Sequence, residues 1–236
     1  MGKAAASARV IDEWSRRVEA EYRSTAIAAN MALWLVQIGA SPDLVRAALR
    51  IAREELGHAT LSHAVHVAAC RAAGVQPVAT GLDRDSLQLV RHAREPLEHD
   101  VARACVEVFC LGETVAVRLF KELRQACEVP VARRALDRVL RDEVGHRDFG
   151  WELLAWLLEH PLAPQLRELV VRELPATLRH LGSQYAGQDD ATLPRSDARW
   201  GLMPPARYGQ VLRISFEKDY VPRFARLGID ARSAWP

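Results

Sequence analysis

Two hexads carry the residues most able to do chemistry. Arg53-Glu54-Glu55-Leu56-Gly57-His58 and Arg141-Asp142-Glu143-Val144-Gly145-His146 agree in residue type and order, 88 positions apart. The match extends upstream, pairing Arg50 with Arg138, Ile51 with Val139 and Pro42 with Pro130. Each hexad holds a Glu-x-x-His. Residues i and i+3 share one helix face, so carboxylate and imidazole can meet at one ion. A single such pair is weak evidence, because helices are full of Glu. Two pairs inside matching segments point to two halves closed around a two-metal site.

A carboxylate-bridged site of this kind needs one more carboxylate from each of two further helices. Glu113 is the candidate on one of them. Val106, Phe109, Cys110, Ala116, Val117 and Phe120 recur around it at helical spacing. An unpaired carboxylate on so apolar a face costs several kcal/mol unless a proton, an ion pair or a metal neutralises it. Glu107, with Asp100 and Arg103 on its face, reads as solvated. Near the start of the chain the choice lies between Glu19 and Glu21. Glu21 shares its face with Trp14, Val18, Ser24, Thr25 and Ala28, whereas Glu19 sits with Asp12, Arg16 and Arg23, so Glu21 is preferred.

Long helices must position these groups. The first is expected over Ala8–Ile38, with Trp14, Val18, Ile27, Met31, Trp34 and Leu35 on its apolar side. Gly39-Ala40-Ser41-Pro42 supplies a stop, an N-cap and a proline for the first turn of the next. That second helix runs to Ala73, apolar at Leu44, Ala48, Ile51, Leu56, Leu61 and Val65. Residues 74–95 form one long connection, with a short helix expected over Ser86–Arg94. Pro96 opens a third helix to Cys127, and Pro130 a fourth to His160. Short links make antiparallel neighbours, and one long crossover joins the two pairs. The predicted class is all-α: a four-helix bundle over residues 1–160. An extension over 161–236 packs on it within a single domain. Its helices are expected over Leu162–Tyr185, bent at Pro175, and over Pro205–Val221, with a polar loop Gly187–Asp197 between them. Tyr208, Val211, Leu212, Phe216 and Tyr220 give the last helix an apolar stripe for the bundle core, a cap over the site or a dimer contact.

Composition narrows the partners. A net charge of +2 over 236 residues offers no electrostatic case for nucleic acid or membrane. Met1–Arg9 is short and Ala-rich without an apolar core behind it, and Gly2 lacks the myristoylation context. The run Ala26–Ala40 is too short to span a bilayer. Cys70, Cys105, Cys110 and Cys127 have no C-x-x-C spacing, so they are expected as buried thiols of a cytoplasmic protein.

With these residues in place, Glu21, Glu55-x-x-His58, Glu113 and Glu143-x-x-His146 resemble the ligand pattern of the ferritin-like diiron and dimanganese carboxylate proteins. These include rubrerythrins, ferritins, acyl-carrier-protein desaturases, the small subunit of ribonucleotide reductase and bacterial monooxygenase hydroxylases. The resemblance covers residues 8–160. It implies a ferritin-like bundle in which Glu55 and Glu143 bridge two metals, Glu21 and His58 complete one ion, and Glu113 and His146 the other. It also implies that Asp142 accepts from the ring N–H of His58, and Glu54 from that of His146. The plainer alternative leaves both acids as exposed charges paired with Arg138 and Arg50. An oxygen and imidazole donor set suits iron or manganese, singly or mixed. The desaturase and oxygenase branches often carry Arg just before the ligand His, where this chain has Gly57 and Gly145. These two glycines are expected to serve close helix approach, and no branch is assigned.

Other residues are secondary. His66 reads as a surface histidine, with an extra ligand as the alternative. Tyr22, Trp34, Trp151 and Trp156 read as core aromatics before electron carriers. Cys110, Ser24, Thr25, Phe109 and Val117 are expected to line the cavity, with Arg17 and Arg147 flanking the ligand faces. The function implied is an O2-dependent oxidase or oxygenase acting on a small organic molecule, supplied by an electron donor protein and possible as a homodimer. Iron handling, as ferroxidase or peroxide scavenger, is the second class. Hydroxylation of a tRNA nucleoside and a metal-free helical bundle stand behind it.

Overall fold

The computed structural model describes residues 6–78, 81–185 and 192–235, and among these every regular element is helical. Helix α1 (Ala8–Gln37) starts where the Ser7 hydroxyl accepts from Val10 N–H at 3.3 Å. The chain reverses over Gly39, whose φ of 71° is open to glycine without strain. Pro42 then begins α2 (Pro42–Ala73), which ends on the left-handed Gly74. Among its described residues the crossover contains one 3-10 turn, Arg84–Leu87, earlier and shorter than the helix expected over Ser86–Arg94. Asp83 caps that turn through Asp85 N–H, and Asn30 of α1 takes the Leu89 N–H at 3.4 Å. Beyond it the crossover is claimed by Asp100, a buried carboxylate. Arg91 Nη1 (2.7 Å), His92 Nδ1 (2.6 Å), His92 N–H (2.9 Å) and Arg103 Nη1 (3.0 Å) all meet it. The sequence pattern grouped Asp100 with the solvated Glu107. Only Glu107 is exposed.

The third rod is not one uniform helix. It comprises α3 (Leu97–Ala104), a π-helical segment Cys105–Gly112, and α4 (Glu113–Gln125). Helix α5 (Pro130–Leu157) follows. Then come α6 (Ala163–Tyr185, containing Pro175) and a single turn, α7 (Arg195–Ala198). This turn occupies the end of the expected polar loop, whose residues 187–191 lie outside the described residues. Last are α8 (Pro205–Ser215), a second π segment Phe216–Tyr220, and α9 (Val221–Arg226). Together they extend the expected final helix by about a turn.

Helix α1 packs along α2, α2 on α5, and α5 on both α4 and the π segment. Helix α6 lies against α3 and α8, and α8 against α4. One apolar cluster joins all of them, from Val10 to Ala234. Val211, Leu212, Phe216 and Tyr220 are buried in it, so the final helix spends its stripe on the core. Leu56 is a correction. It is 48% exposed, because Glu55, one residue earlier, occupies the inward face with Ile51, His58 and Ser62.

Candidate metal centre

Four rods each deliver carboxylate or imidazole to one buried place. Glu21 comes from α1, Glu55 and His58 from α2, Glu113 from the first residue of α4, and Glu143 and His146 from α5. All six are at most 8% exposed. They form two overlapping groups, Glu21–Glu55–His58–Glu143 and Glu55–Glu113–Glu143–His146, whose donor atoms lie within 4.8 Å of one another. Glu55 and Glu143 belong to both. His58 Nδ1 stands 3.5 Å from Glu55, 3.7 Å from Glu21 and 3.8 Å from Glu143. His146 Nδ1 stands 3.0 Å from Glu55 and 3.8 Å from Glu143. Donors about 2.1 Å from a shared ion are separated by about 3–4 Å, so these spacings suit coordination.

Hydrogen bonding supports the same use. Among the described residues, Glu55 Oε2, His58 Nδ1, Glu143 Oε2 and His146 Nδ1 are buried without a hydrogen-bond partner. Buried polar atoms are rarely left so, and a cluster of them calls for an ion or a proton. The far ring nitrogens are occupied. His58 Nε2 donates to Asp142 Oδ2 at 3.0 Å, and His146 Nε2 to Glu54 Oε2 at 3.0 Å. A proton held at Nε2 leaves Nδ1 facing inward, where the neutral ring offers its lone pair to an ion. Both acids also meet arginines. Arg138 Nε is 2.5 Å from Asp142, and Arg50 Nε is 3.9 Å from Glu54. The arginine pairing of the plainer alternative is thus present beside the histidine bonds, but neither acid is an exposed charge, the Asp142 side chain being 9% and that of Glu54 16% exposed.

Without ions the cluster is strained electrostatically. Burial pushes Glu21 up to about 8. Burial and the neighbouring carboxylates push Glu143 well above the usual range, and burial with Glu55 nearby raises Glu113. Burial opposes charge on Glu55 too, but His146 and His58 outweigh it and hold it at about 2. Burial likewise opposes a charged His58, yet Glu21 and Glu55 lift it to about 10. Two divalent ions would balance four carboxylates and leave both imidazoles neutral, removing the need for borrowed protons.

A cavity of about 370 Å³ opens on the four carboxylates. Ala20 and Ser24 of α1, Val108, Leu111 and Gly112 of the π segment, Ala116 and Phe120 of α4, and Thr177, His180, Leu181 and Tyr185 of α6 form its walls. Of the five residues expected there, only Ser24 takes part. The Thr25 hydroxyl bonds back to the Glu21 carbonyl at 2.9 Å. Val117, on α4, is also absent from the lining. Phe109 packs edge-on against Phe149, and the Cys110 thiol donates to the Gly150 carbonyl at 3.2 Å. An α-helical period put Phe109 and Cys110 on the face of Glu113. The π segment widens the turn, so Val108, five residues before Glu113, takes that face instead. Cys105 and Cys110, also five apart, consequently share the Gly150 carbonyl. The wall from α6 has no signal in the ligand pattern.

Several further placements differ from expectation. His66 is buried, with Nδ1 3.2 Å from the Ile11 carbonyl, and is outside both donor groups. A β-carbon at Gly57 would meet nothing within 4 Å, and at Gly145 only the tip of Arg50 at 3.7 Å, so neither serves close approach. Gly150 does. A β-carbon there would lie 2.4 Å from the Phe109 carbonyl carbon. Arg17 lines the cavity but is held by Glu13 and the Gly201 carbonyl, and Arg147 pairs with Asp148. Trp34 and Trp151 are buried, Trp156 is half-buried and Tyr22 is exposed. All four cysteines are free and buried.

Comparisons with protein families, with characterised proteins and with solved structures return no match. No described helix is long and apolar enough to cross a membrane.

Proposed function

We propose that the chain is an O2-dependent oxidoreductase with a dinuclear iron centre, or a manganese or mixed one, built on a ferritin-like bundle and acting on a small organic molecule. The observation that carries this reading is the pair of overlapping donor groups sharing Glu55 and Glu143, with both Nδ1 atoms free to face them. When bound, two reduced ions would supply the electrons and Lewis acidity that O2 chemistry requires. The chain's own part is positional. Asp142 and Glu54 keep the imidazole protons at Nε2, away from the ions. Glu21 and Glu113 close the two ends of the donor set. Leu111, Ala116, Phe120 and Leu181 give an apolar wall against which a substrate can displace water.

A second reading, ferroxidase or peroxide scavenging, uses the same ligands without an organic substrate. The cavity over the carboxylates favours the oxidoreductase, since ion entry alone does not need that volume.

The test is metal stoichiometry after anaerobic Fe(II) loading and desalting, followed by optical spectra on admitting O2. About two ions per chain in wild type and fewer in Glu113→Ala and His146→Ala are expected. Ion content that is near zero, or unchanged in both variants, defeats the assignment. Multiple-turnover accumulation of ferric iron or consumption of peroxide with no organic compound present would favour the second reading.

A further inference from the structure

The cavity over the donor groups holds a buried cation as well as carboxylates. Arg17 is 8% exposed and belongs to its lining. Its Nε and Nη2 donate to Glu13 at 3.3 and 3.2 Å, and Nη2 also to the Gly201 carbonyl at 3.0 Å. The guanidinium carbon lies 4.4 Å from the centre of the Trp14 ring, which holds its plane. Nη1 is buried without an acceptor. Tyr208 stands nearby but makes no hydrogen bond to it. Glu13 is also shared with Arg16 at 3.4 Å, so one carboxylate serves two guanidinium groups. Buried polar atoms are rarely left unpaired, and a guanidinium nitrogen can only donate. What fits Nη1 is an acceptor, and the surplus positive charge favours an anion.

A second unused donor belongs to the same end of the cavity. Tyr185, the last residue of α6, lines it too, and its hydroxyl makes no hydrogen bond among the described residues. An outer recess lined by Glu13, Tyr208, Gln184 and Tyr185 adjoins the cavity there. Glu13 is the partner of Arg17, which places guanidinium and phenol at that one end. Beyond the four ligand carboxylates the lining sets Arg17 and Arg23 against a single acid, Glu107, whose side chain is 55% exposed. Leu111, Ala116, Phe120 and Leu181 supply the apolar wall. An apolar space with a few orienting polar groups is what a small-molecule site requires. Arg17 precedes Glu21 by one turn of α1, so their β-carbons are about 6 Å apart on one face. We propose that Arg17 and Tyr185 bind the carboxylate of the substrate, which is a small monocarboxylic acid lying with its apolar end toward the metal ligands. Two donors match two carboxylate oxygens, whereas the three oxygens and second charge of a phosphate call for more. Naming this substrate rests on the oxidoreductase reading, but the anion site itself needs no metal.

Hexanoate, hexanol, hexylamine and hexyl phosphate are the probes, added to the full chain and followed by saturation-transfer NMR, which works with or without metal. Hexanoate should bind about 10-fold or more tightly than each of the other three. Arg17→Gln should weaken hexanoate about 10–100-fold and Tyr185→Phe about 10-fold, leaving hexanol unchanged, as expected for hydrogen bonds to a charged group. Far-ultraviolet circular dichroism checks that both variants fold; should Arg17→Gln not, Tyr185→Phe and the wild-type probe series still decide. Loading with Mn(II) without O2 then reads the orientation. The ion should relax the terminal methyl of hexanoate faster than the methylene beside the carboxylate. Equal binding of all four probes, hexanoate affinity untouched in the folded variants, or fastest relaxation beside the carboxylate would each overturn the proposal. The two failures are separable. A chain that binds hexanoate through Arg17 but takes up no metal defeats the oxidoreductase reading, whereas a loaded chain indifferent to the head group defeats the anion site.

Discussion

Glu54, on α2, accepts the Nε2 proton of His146, on α5, at 3.0 Å. The reciprocal bond, Asp142 on α5 to His58 on α2, has the same length. Each half of the hexad repeat therefore orients the imidazole of the other half. Removing such a carboxylate frees the ring to choose its tautomer and lowers its basicity. Glu54→Ala and Asp142→Ala should each weaken metal binding about 10–100-fold with both imidazoles still present. Competition titration against a chromophoric chelator measures this. Unchanged affinity in both variants would mean the bonds serve packing alone.

The metal-free protein should lose stability as pH rises. Glu21 holds its proton to about 8, against 4.5 for an ordinary glutamate, and His58 to about 10, against 6.5. In both, the folded state binds the proton more tightly. The stabilisation is complete below the ordinary value and is lost as pH climbs through the folded one. Glu55, held at about 2, acts oppositely, contributing above 4.5 and failing as pH falls toward 2. Melting temperature in chelator should thus decline from about pH 6 to 9, while the stabilisation gained by adding Fe(II) anaerobically or Mn(II) grows, because ions displace those protons. A flat or rising chelator curve over that range contradicts the proton sharing described above.

Asp100 predicts a defect away from the site. It is 1% exposed and joins Arg91 and His92 of the crossover to Arg103, which also reaches Glu173 of α6 at 2.9 Å. Burial alone would raise its pKa, but the bonds from His92, Arg91 and Arg103 hold it below the usual range. Asp100→Asn should cost about 1.5–3 kcal/mol, the worth of a hydrogen bond to a charged group. Denaturant unfolding reads the cost. Limited proteolysis should show earlier cleavage within residues 74–96 in the variant than in the wild type.

The sequence was most legible where a period or a repeat was strong. Prolines and glycines marked the helix ends at 38–42 and 74 closely; the hexads supplied four of the six donors, and the apolar helical faces around Glu21 and Glu113 pointed to the other two. What it hid depends on contacts between distant segments. Nothing local to Cys105–Gly112 announces a π turn, so an α-helical period misplaced Phe109 and Cys110. His66 looked like a surface residue because its partner, the Ile11 carbonyl, lies on another helix. The cavity wall from α6 was invisible because Thr177, His180 and Tyr185 belong to no motif and are aimed by packing.

Glycine substitutions separate the two kinds of glycine in α5. At Gly145 the nearest atom to a new β-carbon is the flexible end of Arg50 at 3.7 Å, an ordinary contact. Gly145→Ala should therefore stabilise by about 0.5–1 kcal/mol through its helix propensity. At Gly150 the β-carbon would fall 2.4 Å and 2.6 Å from the carbonyl carbon and oxygen of Phe109, and 2.8 Å from Cys110 N. Those are backbone atoms of the π segment and cannot swing aside. Gly150→Ala must push that segment from α5, at a cost of about 3 kcal/mol or more. Because Glu113 follows the segment directly, the same displacement should weaken metal binding at the His146 end. Urea unfolding and metal titration of the two variants decide it. Equal behaviour of both would mean that the π segment yields freely and does not fix Glu113.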